Sequence, residues 1–381
     1  MTEKQLQPEI ITDRDALERF AGRLRREPLI ACDLEGDSLH HYRERVCLLQ
    51  FSTPSESVLV DPLEVEDLSP LAGVMADPAI RKVFHGADYD IRSLYRDFAI
   101  EVHNLFDTMI ACQFLGEKEV GLAAVLKKRF GVELDKRFQK ADWSRRPLSG
   151  EMIEYAMRDT TLLLELYKQL ERELRNRGRL TWVEEEFNLL SKVRATERGD
   201  EPLCMRFKGA ARLSPRQLTV LEELLQFREE RARQRDLPPF KVLGNDLLRE
   251  LAEQLPRTQG ELKAVAGATD RVLQRYGKGL LEAVSRGCAV PEGELFRFPQ
   301  KAAPSRDPRR EERLKRFKEW RAGRAAALEM DPGVLANNAL LTILADLPSG
   351  PRAYAQAEPF LKEWQREEFG AELQRLAESG A

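Results

Sequence analysis

Every strand signal in this sequence lies before residue 107, and that asymmetry limits what the chain can fold into more than any other feature. Short runs rich in Val, Ile, Leu and Phe stand at 29–33, 46–52, 58–60, 82–85 and 105–106, and nothing after them keeps the pattern. Helical spacing begins at 13–26, which Thr12 or Asp13 can cap. It returns at 67–76, 87–97, 107–115, 121–130 and in one long helix over 151–177. Strands first clustered and then alternating with helices specify an α/β domain with a mixed sheet, ending near residue 190. The rest carries Leu, Ala, Arg and Glu at helical spacing and reads as small all-α bundles.

Two zones punctuate the helical half: the polar stretch 195–202, and 298–310, where Pro299, Pro304 and Pro308 lie too close together for a helix to run through. The helical half also repeats itself at a shift of 93 residues. Arg228, Arg231, Ala232, Pro239, Asn245, Leu247, Leu248, Leu251 and Ala252 align with Arg321, Arg324, Ala325, Pro332, Asn338, Leu340, Leu341, Leu344 and Ala345, and Phe227 faces Trp320. Matched Arg, Pro and Asn positions exceed what any two amphipathic helices share, so the tail is read as a duplicated module. The expected units are 1–190, 206–290 and 311–381, a reasonable division of 381 residues.

A charged fraction of 33% beside 42% hydrophobic residues excludes a disordered chain, and no apolar run is long enough to span a membrane. The first nine residues are polar and acidic, unlike a secretory signal, which makes the cytoplasm the expected location. Cys32, Cys47, Cys112, Cys204 and Cys288 fit neither zinc spacing nor a disulfide framework and are read as reduced thiols. Residues 1–200 hold 30 Lys+Arg against 37 Asp+Glu, and the remainder holds 31 against 27. An acidic half joined to a basic half suggests chemistry in the first and polyanion holding in the second.

The segment Leu29-Ile-Ala-Cys-Asp-Leu-Glu35 is an apolar strand ending in two acids one residue apart. Strand side chains two apart share a face, so Asp33 and Glu35 point together while Leu34 turns into the core. Carboxylates aimed at one point repel, and a divalent cation is their natural occupant. Asp88 and Asp90 follow the strand Arg81-Lys-Val-Phe-His-Gly86 at a helix start, where acids are also favoured by the helix dipole. Further on, Tyr155 and Asp159 stand one above the other on a helix whose buried stripe is read as Ile153, Ala156, Leu163, Tyr167 and Leu170.

Together the strand Asp-x-Glu, the later Asp and the helical Tyr-x-x-x-Asp resemble the DEDD exonuclease superfamily in its tyrosine subclass. Val83-Phe-His-Gly-Ala-Asp-Tyr-Asp-Ile91, Leu105-Phe-Asp-Thr108, Gln139-Lys-Ala-Asp-Trp-Ser-Arg-Arg-Pro-Leu148 and Tyr155-Ala-Met-Arg-Asp-Thr160 look like its ribonuclease D branch, over about residues 8–190. Residues 206–287, with Leu237-Pro-Pro-Phe-Lys-Val242 and Tyr276-Gly-Lys-Gly279, look like an HRDC domain, and 311–378 like a divergent second copy. The resemblance implies a ribonuclease H-like exonuclease domain followed by two HRDC-like helical domains. The first motif departs from the bacterial pattern: Asp33-Leu-Glu-Gly36 and the following Asp37-Ser-Leu-His-His-Tyr42 are closer to the eukaryotic exosome nuclease.

In the family's arrangement Asp33, Glu35, Asp90 and Asp159 hold two Mg²⁺ or Mn²⁺ ions, and Tyr155 orients the attacking water. The implied activity is 3′→5′ exoribonuclease trimming of RNA 3′ ends, tRNA precursors foremost, with release of nucleoside 5′-monophosphates. The alternatives are a DNA exonuclease in repair and an idle RNA-binding adaptor. No membrane or obligate protein partner is expected. His85 and Trp143 are candidate nucleic-acid contacts, as are Arg145 and Arg146, while Asp107 reads as a helix cap. In the helical half the candidates are Lys208, Lys241, Lys278, the run from Arg309 to Arg324, and N–H groups near Gly277 and Gly279 at an expected helix start. Residues 301–330 carry 10 Lys+Arg against 5 Asp+Glu.

Overall fold

Asp13 accepts a hydrogen bond from Ala16 N and caps α1 (Arg14–Leu24), whose Leu17, Phe20, Ala21 and Leu24 recur at three- and four-residue spacing and are buried. Phe20 meets Phe51 of the sheet edge to face at 5.6 Å. The computed structural model describes residues 9–65, 67–195, 199, 201–298, 307–347 and 353–378. Half of the first punctuation zone and most of the second lie outside the described residues.

Among the described residues six strands form one sheet: β1 (Glu9–Ile11), β2 (Leu29–Gly36), β3 (Val46–Ser52), β4 (Ser57–Val60), β5 (Arg81–Phe84) and β6 (Leu105–Asp107), in the order β1-β4-β3-β2-β5-β6. β2 pairs antiparallel with β3 and parallel with β5. The β3–β4 pair is antiparallel, and β1–β4 and β5–β6 are parallel. The expected mixed sheet is present, with β2 in its interior. β1 was not legible, because three residues show no period.

The helices α2 (Ser69–Ala76), α3 (Asp88–Phe98), α4 (Thr108–Phe114) and α5 (Leu122–Phe130) follow the expected order. The long helix expected over 151–177 is instead two, α6 (Gly150–Thr161) and α7 (Leu163–Asn176), and α8 (Leu180–Leu190) comes after them. At the break, Thr161 Oγ1 donates to Met157 O at 2.6 Å. Adjacent threonines whose hydroxyls bond elsewhere weaken a helix. Thr160 Oγ1 instead lies 2.7 Å from Ser52 Oγ and ties α6 to β3. No described helix is long and apolar enough to cross a membrane.

The chain divides into two compact units: residues 1–36, 46–195 and 305–381, and residues 37–45 with 196–304. The second unit contains α9 (Pro215–Gln234), closed by a Ser214–Gln217 capping box, then α10 (Pro239–Val242), α11 (Asn245–Gln254), α12 (Gln259–Ala264) and α13 (Asp270–Ala289). Segment 37–45 packs here, with His41 Nδ1 2.6 Å from Asp236 Oδ2 and Tyr42 Oη donating to Glu229 Oε2 at 3.0 Å.

The first unit ends in α14 (Pro308–Ala327), α15 (Pro332–Leu335), α16 (Asn338–Asp346), α17 (Ala353–Ala357) and α18 (Glu363–Glu378). The sequence repeat is also a repeat of bonds: Arg228 Nη1 donates to Asn245 Oδ1 at 2.6 Å, and Arg321 Nη1 to Asn338 Oδ1 at 2.9 Å. This second copy shares one hydrophobic core with the sheet. Trp364 stacks on Trp182 at 5.1 Å, and Glu185 accepts from Glu363 N and Trp364 N at the start of α18. Gly116 lies so near Glu329 O that a Cβ there would sit 1.8 Å from it.

Candidate active site

In β2 Asp33 stands opposite Gln50 of β3 and Glu35 opposite Leu48. Residues directly opposite in an antiparallel pair share a face, so Asp33, Glu35 and Gln50 lie on one side of the sheet. Leu34 faces the other way and is buried in the main core. The two acids therefore project from the rigid centre of the sheet, as the period-two argument required.

Asp90 is placed by a chain of backbone contacts. Gly86, with φ 76°, makes the turn between β5 and α3, in the left-handed region that suits glycine. Asp107 caps α4 by accepting from Met109 N and Ile110 N, and it also accepts from Gly86 N and Ala87 N at 3.0 and 2.7 Å. One carboxylate thus fixes the start of two helices, and the capping role read for Asp107 is what it performs. Asp90, in the first turn of α3, is buried. The charge of Asp90 is felt at both Asp33 and Glu35, which sets the three acids close together. Asp88 remains exposed and pairs with Arg92 at 2.8 Å, a surface role.

Helix α6 supplies the last two groups. Ser149 caps it through Met152 N, and its Ala156 and Thr160 are buried. Tyr155 and Asp159 line one cleft of about 260 Å³ together with Asp33 and His85. Phe138 meets Tyr155 edge to face at 5.7 Å, and Trp143 lies against it at 6.0 Å.

The electrostatics follow from this crowding. Burial pushes the pKa of Asp90 up to about 7 and that of Asp159 up to about 7. Burial, and then the neighbouring charges of Asp90, Asp159 and Glu35, hold Asp33 well above the usual carboxylate range. Glu35 is raised by burial and then by Asp159 and Asp90. Tyr155 is raised far above a free phenol by burial and then by the charges of Asp159 and Glu35, so it stays protonated at neutral pH. Four crowded acids, none in an ion pair among the described residues, form a donor set suited to hard divalent cations. Gln50 adds a second sign: it is fully buried, and neither amide atom has a partner among the described residues. No group of three or more His, Cys, Asp or Glu among the described residues has the spacing to hold an ion alone.

The other candidates scatter. His85 lines the cleft, its Nδ1 2.8 Å from Thr108 Oγ1, and burial lowers its pKa so that it is neutral at pH 7. Trp143 is corrected: it is 1% exposed and forms the wall behind Tyr155, leaving no face for a base. Arg146 is committed to Asp61 and to the carbonyls of Trp143 and Cys47, and Arg145 pairs with Asp142. Gly277 and Gly279 lie inside α13, not at a helix start, so their N–H groups belong to the helix; Gly279 is small because the Phe227 ring passes over it. The run from Arg309 to Arg324 lies on α14, where Arg310 pairs with Asp346, Arg313 with Asp307 and Ala345 O, and Arg324 with Glu368 and Glu372. Lys208, Lys241 and Lys278 are all exposed but sit on different elements. Missed by the sequence reading were Gln50, because buried Gln carries no pattern, and Lys136 and Gln139, which also line the cleft.

Family comparison finds a 3′-5′ exonuclease model matching residues 8–175 and an HRDC domain model matching residues 217–284. The chain is 32% identical to a ribonuclease D of Nitrobacter hamburgensis, covering 75% of this chain and 76% of that protein. Among solved structures, it resembles Escherichia coli RNase D, described as an exoribonuclease involved in structured RNA processing, with a TM-score of 0.71, 26% identity and coverage of 97% and 98%. It also resembles the catalytic core of RRP6 from Trypanosoma brucei, with a TM-score of 0.66, 32% identity and coverage of 75% and 81%.

Proposed function

This chain belongs to the ribonuclease D family and is a 3′→5′ exoribonuclease, and from that premise we propose that it trims the 3′ ends of structured RNAs, tRNA precursors foremost, in the cytoplasm, by metal-dependent release of nucleoside 5′-monophosphates. The observation that carries the mechanism is the gathering of four carboxylates, each raised by burial, with Asp33 and Glu35 raised further by the charges of Asp90 and Asp159. Asp33, Glu35, Asp90 and Asp159 would hold two Mg²⁺ or Mn²⁺ ions. Bound there, such ions supply an acidified water and neutralise charge on the phosphate and the leaving oxygen.

The chain's own groups do the rest. Asp33 and Glu35, fixed by the sheet interior, set the position of the scissile phosphate against α6. Tyr155 keeps its proton, so it acts by hydrogen-bonding and orienting the nucleophilic water and not as a general base. Phe138 and Trp143 hold its ring, which restricts where that hydroxyl can point. His85 and Gln139, on the cleft wall, would meet the terminal nucleotide.

The test is a time course on RNA labelled at either end, with Mg²⁺ or with chelator. The 3′ label should leave at once as mononucleotide, the 5′ label should shorten stepwise, and chelator should stop both. Internal cuts, or equal hydrolysis in chelator, would overturn the reading.

A further inference from the structure

The two copies of the helical module differ in charge at one place. In the first copy the C-terminal half of α9 and the N-terminal half of α13 enclose an open groove of about 630 Å³. Arg231, Arg235, Arg275 and Lys278 line it, with Glu282 as the opposing charge. Arg231 lies over the Phe227 ring at 5.1 Å, and Arg235 donates to Tyr276 Oη at 2.6 Å, so both guanidiniums are held in place while Arg235 remains exposed. Lys278 is only 3.8 Å from Glu282, too long for a hydrogen bond, and Arg275 is exposed with no ion pair among the described residues.

The same positions in the second copy, 93 residues on, are neutralised. Arg275 is replaced by Glu368, Lys278 by Ala371, Gly279 by Glu372 and Arg235 by Leu328. Glu372 accepts from Trp320 Nε1 at 2.8 Å, and Glu368 and Glu372 both pair with Arg324, the counterpart of Arg231. The scaffold is common: Phe227 meets Tyr276, and Trp320 meets Phe369, both edge to face. One copy therefore keeps cations in an open groove, and in the other the matching arginine is paired with that copy's own carboxylates.

We propose that the first-copy groove binds the phosphate backbone of an RNA strand, and that the second copy has lost this site. The proposal rests on the exoribonuclease reading, which supplies RNA as the polyanion. Four cations on two helices, with an aromatic floor already occupied by Arg231, suit successive phosphates better than stacked bases. The groove holds none of the groups assigned to bond cleavage, so such contacts contribute affinity and not turnover.

The test uses the full-length protein in chelator, where RNA is bound but not cut, with fluorescence anisotropy of a labelled single-stranded RNA at several salt concentrations. The double variant Arg275→Glu, Lys278→Ala should weaken binding about tenfold or more and flatten the salt dependence by about 1.4 in slope, since each phosphate contact on a single strand contributes about 0.7. A control, Arg366→Glu, on the exposed face of α18 in the second copy, should bind as wild type. In Mg²⁺ with saturating RNA both variants should keep the wild-type kcat, and the loss in the groove variant should appear in KM. Equal affinity and slope in the groove variant, or an equal loss in the control, would overturn the site. Retained RNA affinity with lost capture of polyglutamate would assign the groove to an acidic protein and also overturn it. Wild-type protein that binds RNA but never shortens it would instead sink the nuclease reading.

Discussion

Burial holds Asp90 and Asp159 at about 7 and lifts Asp33 and Glu35 well above the carboxylate range, whereas the unfolded chain ionises such groups near 4. Between about pH 4 and 7 the folded chain thus keeps protons that the unfolded chain has released. Stability from these groups is fully present below about pH 4 and is lost as pH rises through about 7. Metal-free protein should melt lower at pH 8 than at pH 5, with a smaller difference in Asp159→Asn, and Mg²⁺ at pH 8 should restore the wild type. A wild type and variant with the same pH dependence would contradict the raised values. Gln50 belongs to the same ledger of strain, as a buried amide with neither atom paired. Replacing it by Leu should raise metal-free stability by about 1–3 kcal/mol and lower turnover. A lower melting temperature with intact turnover would show that Gln50 has a purely structural partner.

Elements carry these residues with different degrees of legibility. The face shared by Asp33 and Glu35 could be read from strand periodicity alone, and the stacking of Tyr155 over Asp159 from helical spacing. The depth of Asp90 could not, because a helix start looks the same exposed or buried, and only its burial in the first turn of α3 distinguishes it from Asp88, which pairs with Arg92 at the surface. Trp143 was ambiguous for the same reason: an aromatic near a site can floor it or face it, and packing decides. The break at Leu162 depended on where two threonine hydroxyls found partners. Asp107 is the element-level hinge of the site. Asp107→Ala leaves four N–H groups without their acceptor and should cost about 2 kcal/mol or more, with kcat falling as Asp90 moves. Asp107→Asn, keeping one acceptor oxygen, should recover part of both; equal loss in the two variants would mean that the negative charge itself is required.

At the scale of the molecule, the duplication was visible in the sequence, but the different fates of its copies were not, since an amphipathic helix shows that it has an apolar face and not what covers it. The second copy has Trp364 and Phe369 against Trp182, and Lys362 on Glu186 at 2.6 Å, so it buttresses the sheet domain. Removing residues 307–381 would uncover several large side chains worth about 1.5–3 kcal/mol each, a large part of the ~5–15 kcal/mol that holds an ordinary domain. The truncated chain should melt at least about 10 °C lower or be insoluble, and an unchanged melting temperature would show that the shared core is dispensable. The claim on which the rest depends is that the four carboxylates hold the catalytic ions. Its most direct test is calorimetric titration of Mn²⁺ into the full-length protein at pH 8 with a nucleoside 5′-monophosphate present. Two ions per chain should bind to the wild type, and binding should weaken at least tenfold in Asp33→Asn and in Asp159→Asn. Undiminished binding by both variants would contradict the account.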